Sequence, residues 1–209
     1  MTKYVILQCP NPQCNFRFPA ETESYGIYCP LCGEQLQVNE YLLDYGYAHF
    51  ENKSNIHLEC ALDNVRSSYN VGSIFRSASA FSVKYLYLCG FTPSPDQLKV
   101  RKTSLGAEKL VPWSHELNAI PLIQQKKAAR YRIYSIEASL TATSLLQYAP
   151  DTFSDKVLLV LGNEVFGIDP EIRQLSDAVL QIPVFGEKKS LNVVTAFSIA
   201  VFYFSLLFK

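Results

Sequence analysis

The sequence predicts an α/β protein built on a parallel sheet, preceded by a small cysteine-rich module. Three observations carry this. From His57 onward, apolar strand-like stretches alternate with helix-like ones, the order that builds a parallel sheet with helices on both faces. KVLLVLG (156–162) is an unbroken apolar run, the pattern of a strand covered on both sides. Four of the six cysteines stand at Cys9, Cys14, Cys29 and Cys32, apart from everything else that the chain contains.

Taken in order, HLECALDNV and KYLYLCGF are predicted strands, with NVGSIFRSASAF a helix between them. WSHELNAIPLIQQKKAA reads as a helix broken near Pro121, RYRIYSIEA as a strand and TATSLLQYA as a short helix. DPEIRQLSD is helix, AVLQIPV strand, and LNVVTAFSIAVFYFSLLF a closing helix. The 209 residues hold one sizeable domain and a module, divided as 1–36 module, 37–55 linker and 56–209 main domain.

C-x4-C followed after 14 residues by C-x2-C fits four thiolates on two turns around a tetrahedral zinc ion, a zinc ribbon. The first pair is wider than the usual knuckle, and a degenerate site or disulfides are the alternatives. Four thiolates leave zinc no open position, so its role is structural. Cys60 and Cys89 lie in apolar strands and read as core. MTKYVILQCP has no long apolar stretch ending in small residues, so no secretory leader is expected, and the compartment reads as reducing and cytoplasmic. Residues 193–208 carry no charge, but sixteen residues fall short of the roughly 20 that span a bilayer. A helix buried in a core or a subunit interface is the expectation.

Formal net charge is zero. Residues 1–56 carry Lys3, Arg17 and Lys53 against Glu21, Glu23, Glu34, Glu40, Asp44 and Glu51, a net of −3, which leaves +3 for the remainder. Arg101-Lys102, Lys126-Lys127 with Arg130 and Arg132, and Lys188-Lys189 are its basic clusters. A polyanion would be drawn to the main domain. LGNEVFG follows a strand directly, where parallel sheets bind ligands. It is not a phosphate loop, since Ile168-Asp169 stand where Lys-Ser/Thr is needed, and it lacks G-x-G-x-x-G.

NVRSSYNVGSIFRSASAF (64–81), LVLGNEVFGI (159–168) and IPVFGEKKSLNVVTAFSIA (182–200) together resemble the three ordered motifs of the SpoU/TrmH family of SPOUT RNA methyltransferases, with KTSLGAEKLVPW (102–113) similar to a segment often found between them. The resemblance covers residues 56–209 and leaves the cysteine module outside. It implies a SPOUT fold with a C-terminal trefoil knot, a homodimer through the knot region and closing helix, and S-adenosylmethionine-dependent methylation of a ribose 2′-hydroxyl in tRNA or rRNA. It places cofactor against Leu161, Gly162, Asn163, Gly167, Ile182, Pro183, Ser190 and Leu191. It assigns functional positions to Asn70, Arg76, Glu164, Ser190 and Asn192. A catalytically silent RNA-binding or assembly protein is the alternative, and the module's partner is RNA or protein.

No histidine lies in the three motifs, since His49, His57 and His115 fall elsewhere. Arg76 has no acidic neighbour in sequence. With a pKa above ~12 an arginine is a poor base, which favours orienting the hydroxyl and stabilising developing charge, although the family reading also allows it to take the proton. Glu164 either caps the helix starting near Asp169 or holds the Arg76/Asn70 geometry. Ser190 and Asn192 can cap the closing helix as well as touch cofactor.

Overall fold

The computed structural model describes residues 4–21, 26–40, 56–148 and 155–207. The chain divides into two compact units, Met1–Glu51 and Asn52–Lys209.

In the first unit, β1 (Tyr4–Gln8) pairs antiparallel with β2 (Arg17–Glu21) on one side and β3 (Gln37–Glu40) on the other. Residues 37–40, at the start of the segment expected as linker, are therefore a strand of this sheet, and 41–55 lie outside the described residues. Its buried apolar residues are Val5, Leu7, Cys9 and Cys29.

The second unit is a seven-stranded sheet. Its strands are β4 (His57–Asp63), β5 (Tyr85–Cys89), β6 (Trp113–Glu116), β7 (Arg132–Ile136), β8 (Thr143–Ser144), β9 (Lys156–Leu161) and β10 (Ala178–Gln181). They stand in the order β6-β5-β4-β9-β7-β10-β8, and every pairing is parallel. The apolar run 157–161 is β9, buried along its length next to β4 at the centre.

Helices α1 (Ser68–Ala80), α2 (Leu98–Ser104) and α5 (Val193–Leu207) pack with one cluster that holds Phe75, Leu86, Leu159 and Phe197. Helices α3 (Ala119–Ala128) and α4 (Pro170–Leu175) close the other sheet face over Ala61, Ile133, Leu158 and Val160. Burying both faces removes most of the sheet's apolar surface from water, the main term that holds it together.

Three local expectations are corrected, and one helix was not foreseen. Trp113–Glu116 is edge strand β6, paired with Leu86–Cys89, and not the start of a helix. Pro121 does not break α3. Asn118 caps that helix through its side chain, and Pro121 falls in the first turn, where a missing N–H costs nothing. Residues 141–149 hold no helix among those described, because Thr143 and Ser144 pair with Leu180 and Gln181. α2, inside the region around KTSLGAEKL, went unforeseen. It is positioned by Gly72, where a Cβ would lie 2.6 Å from Val100 O. No helix among the described residues is long and apolar enough to cross a membrane.

Candidate active site and candidate metal centre

Parallel strands leave their carboxyl ends facing loops, and a cavity opens there, beyond β7, β9 and β10. It measures about 410 Å³. Leu161, Gly162, Asn163, Glu164, Gly167, Ile182, Ser190, Leu191 and Asn192 all line it. Pro183 does not, and neither do Asn70 and Arg76.

The glycine loop forms one wall. Asn163 and Gly167 exchange backbone hydrogen bonds of 2.9 and 3.0 Å, closing a tight turn. Gly167 has φ +74, which a side chain would strain. A Cβ on Gly162 would sit 2.3 Å from the Gly167 carbonyl, so the two backbone segments meet only because Gly162 carries none, and a Cβ on Gly167 would meet the Glu137 carboxylate at 2.5 Å. Asn163, nearly buried, accepts hydrogen bonds from the Val165 and Phe166 N–H groups through Oδ1. Its Nδ2 donates to the Asn64 carbonyl at 2.8 Å, which ties the loop to the end of β4. Buried Asp63 accepts from the Asp169 N–H, and burial pushes its carboxyl above the ordinary range.

Glu164 does not cap α4, which Asp169 caps itself through the Glu171 N–H. Instead its carboxylate accepts from the Arg66 N–H at 2.9 Å, the Ser67 N–H at 3.3 Å and Asn70 Nδ2 at 2.9 Å. Those groups lie at the amino end of α1, where a negative charge is stabilised by free N–H groups and the helix dipole. Partial burial pushes the Glu164 pKa up, but these hydrogen bonds outweigh it and leave the group below its ordinary value. Asn70 Oδ1 in turn lies 3.4 Å from Asn192 Nδ2. Asn192, not Ser190, caps α5, accepting from the Val194 N–H at 2.8 Å. One residue from each motif thus meets in a chain Glu164–Asn70–Asn192.

Arg76 is exposed on α1, and among the described residues its guanidinium has no hydrogen-bond or ion-pair partner. It lies six residues beyond Asn70, about 9 Å along the helix axis at 1.5 Å per residue. Glu137 was missed by sequence reasoning. It lines the cavity just past β7, and its Oε2 accepts from the Ile168 N–H at 3.2 Å. An acid directly after a buried apolar strand was the available signal. Phe166 and Lys189 also line the cavity.

In the first unit, the sulfurs of Cys9, Cys14, Cys29 and Cys32 lie within 4.8 Å of one another. Cys9 and Cys32 are 3.4 Å apart, Cys14 and Cys29 3.7 Å. Four sulfurs at about 2.3 Å from a tetrahedral zinc ion stand roughly 3.8 Å apart, so the number, type and clustering of these donors suit that metal.

A parallel α/β sheet with a glycine-walled cavity at its carboxyl end, flanked by the Glu164–Asn70–Asn192 chain, is the architecture of a ligand-binding α/β domain. The chain belongs to the SpoU rRNA Methylase family, whose model matches residues 57–202. It is 34% identical over 141 residues to the 23S rRNA (guanosine-2′-O-)-methyltransferase RlmB of Xylella fastidiosa, covering 68% of this chain and 55% of that one. It is 27% identical over 141 residues to the tRNA (guanosine(18)-2′-O)-methyltransferase of Aquifex aeolicus, covering 67% and 64%. Among solved structures, it is similar to the AdoMet-bound rRNA methyltransferase of Sinorhizobium meliloti, with a TM-score of 0.66 and 27% identity over 74% of this chain and 57% of that one. The chain thus spans between about half and two thirds of these relatives' length.

Proposed function

We propose that this protein transfers a methyl group from S-adenosylmethionine to a ribose 2′-hydroxyl of tRNA or rRNA. The carrying observation is that Glu164 and Asn192, from two of the motifs, line one cavity and are joined through Asn70 of the third, which hydrogen-bonds both beside it. The names of its relatives support the same chemistry.

S-adenosylmethionine supplies an electrophilic methyl carbon on a sulfonium. The wall formed by Gly162 and Gly167 leaves room for a ligand to approach backbone, and Leu161, Asn163, Ile182, Ser190 and Leu191 complete its surroundings. In-line displacement needs the ribose oxygen aligned with that carbon and sulfur. Glu164 fixes the start of α1 and so the helix that carries Arg76. Arg76 orients the hydroxyl, grips a neighbouring phosphate and stabilises the charge developing on oxygen as the proton leaves.

A homodimer fits this arrangement. Ile199, Phe202 and Leu206 of α5 are exposed, an apolar strip that a second subunit would cover. Ser77, next to Arg76, hydrogen-bonds Ser198, and Phe81 packs on Phe202. Arg76 therefore borders that strip. The knot that the resemblance implies would run through the two segments that wall the cavity, 161–168 and 182–193. Cys9, Cys14, Cys29 and Cys32 would hold structural zinc, and the free thiols of Cys60 and Cys89 suit the cytoplasm.

Incubation with labelled S-adenosylmethionine and total RNA tests the proposal, followed by mapping of 2′-O-methyl positions. Label in RNA is expected. Bound cofactor without label would mark a silent RNA-binding protein instead.

A further inference from the structure

Two carboxylates line the cavity at the strand ends, and the fold uses them unequally. Glu164 accepts three hydrogen bonds from the amino end of α1. Glu137 accepts one among the described residues, from the Ile168 N–H at 3.2 Å. Its other oxygen, Oε1, lies 3.8 Å from the Arg173 guanidinium, beyond hydrogen-bond distance. A carboxylate offers about four acceptor positions, so most of those on Glu137 stay open.

The sheet fixes where this group stands. Ile136, the last residue of β7, pairs with Leu161 of β9 on one side and Leu180 of β10 on the other. The Glu137 N–H then donates to the Leu180 carbonyl at 2.9 Å, which holds its backbone to β10. The side chain packs over the bare backbone of Gly167, where a Cβ would come within 2.5 Å of Oε1. Glycine at 167 is thus needed for the carboxylate to lie in the cavity wall as well as for the turn. The side chain is 19% exposed, so little water competes for its open lone pairs.

Beside Glu137 the wall is apolar, made of Ile136, Leu161, Ile182, Leu191 and Ala196. Such a wall suits a flat purine, and S-adenosylmethionine then presents four polar groups that could meet Glu137. The cofactor's own carboxylate is repelled by it. The α-ammonium would set a second cation beside Arg173. The adenine amino group is flanked by ring nitrogens whose lone pairs would face the carboxylate. The ribose 2′- and 3′-hydroxyls are neutral, adjacent and both donors, and one carboxylate can accept from the pair.

We propose that Glu137 anchors the ribose of the bound cofactor, accepting hydrogen bonds from its vicinal 2′- and 3′-hydroxyls. This rests on the reading that the cavity takes S-adenosylmethionine. Glu137 touches no reacting atom. It sets how tightly the cofactor is held and where its sugar lies.

The test uses the full chain and calorimetry with three ligands: S-adenosylhomocysteine, its 2′,3′-dideoxy analogue, and 5′-methylthioadenosine, which keeps the ribose and lacks the amino acid. The wild type is expected to bind S-adenosylhomocysteine about ten-fold more tightly than the dideoxy analogue, the lower end of what a hydrogen bond to a charged group contributes. Glu137→Ala should weaken S-adenosylhomocysteine and methylthioadenosine by the same factor, about ten-fold, and leave the dideoxy analogue where the wild type has it. Glu137→Gln keeps an acceptor for the Ile168 N–H and controls for local unfolding. It should retain the wild-type thermal midpoint and still lose about three-fold in affinity for both ribose ligands.

A preference for the hydroxyls that persists in Glu137→Ala, or that the wild type lacks, overturns the assignment. So does a loss confined to S-adenosylhomocysteine, which would put Glu137 at the amino-acid end of the ligand. Either failure leaves cofactor binding and label transfer to total RNA intact. If the wild type binds neither S-adenosylmethionine nor S-adenosylhomocysteine and labels no RNA, the methyltransferase reading itself falls, and this one with it.

Discussion

The two units close over very different amounts of apolar surface. The first buries Val5, Leu7, Cys9 and Cys29 within a three-stranded sheet, whereas the second fills both faces of a seven-stranded one. Chains of this small size rarely stay folded on apolar burial alone and usually need a metal, disulfides or a partner. The difference teaches where each unit's fold is decided: in the second by the sheet, and in the first, on the proposal that it holds zinc, by the four sulfurs.

Metal removal is the strongest way to break that comparison. Zinc binding is worth about 10–16 kcal/mol in small zinc domains. A chelator, or Cys29→Ser, should abolish hydrogen-exchange protection of the β1 amides and release one metal ion per chain, while the thermal midpoint of the main domain stays put. Protection that persists in metal-free protein would show that the small unit needs no staple.

Within the main domain, the contrast is between groups held by the fold and Arg76, which has no partner among the described residues. Glu164, Asn70 and Asn192 satisfy one another, but Arg76 does not join them. Arg76→Ala should therefore cost no stability and slow methyl transfer by roughly 10²–10³-fold, the usual loss for a single charge-stabilising donor. Cofactor affinity should move by a few-fold at most in calorimetry. A parallel drop in affinity would place Arg76 against the cofactor.

Two glycines sharpen the same contrast at smaller scale. Gly162→Ala drives a methyl against the Gly167 carbonyl, and overpacking of this kind costs about 1–3 kcal/mol, with cofactor affinity falling too. Gly186 has nothing within 4 Å of its missing Cβ, so Gly186→Ala should stay within about 0.5 kcal/mol in urea melts. Similar losses at both positions would mean the glycine wall is no tighter than an open loop.

Much of this was legible in the sequence because apolar runs encode burial directly. β9 announces itself as a continuous apolar stretch and β4, β5 and β7 as apolar-rich ones, and the cysteine spacing announces its cluster. What was hidden depends on tertiary pairing. Trp113–Glu116 has no periodicity of its own and becomes a strand only because Leu86–Cys89 offers an open edge. Thr143–Ser144 is likewise recruited by β10. Glu164 looked equally able to cap a helix nearby in sequence, yet it serves α1, whose start lies nearly a hundred residues earlier. Glu137 has no motif around it, and only the register of β7 delivers it to the cavity.

The smallest expected effect separates two carboxylates by pH. Burial pushes Glu59 up, but Lys126, His57 and Tyr131 together hold it below its ordinary value of 4.5. Glu164 is held low by backbone N–H groups and Asn70 at a far more exposed position. A carboxylate with a depressed folded-state pKa adds stability that is fully present above its unfolded value and lost as pH falls through the folded one. Both groups should therefore steepen the loss of stability as pH falls below about 4.5, with Glu59 the larger contributor because its partners are less screened by water. Urea midpoints of Glu59→Gln and Glu164→Gln between pH 7 and 3 check this. The acid limb should flatten clearly for Glu59→Gln and only slightly for Glu164→Gln. The opposite ranking would mean that the α1 terminus, and not the Glu59–Lys126 pair, is where the main domain stores its acid-sensitive charge.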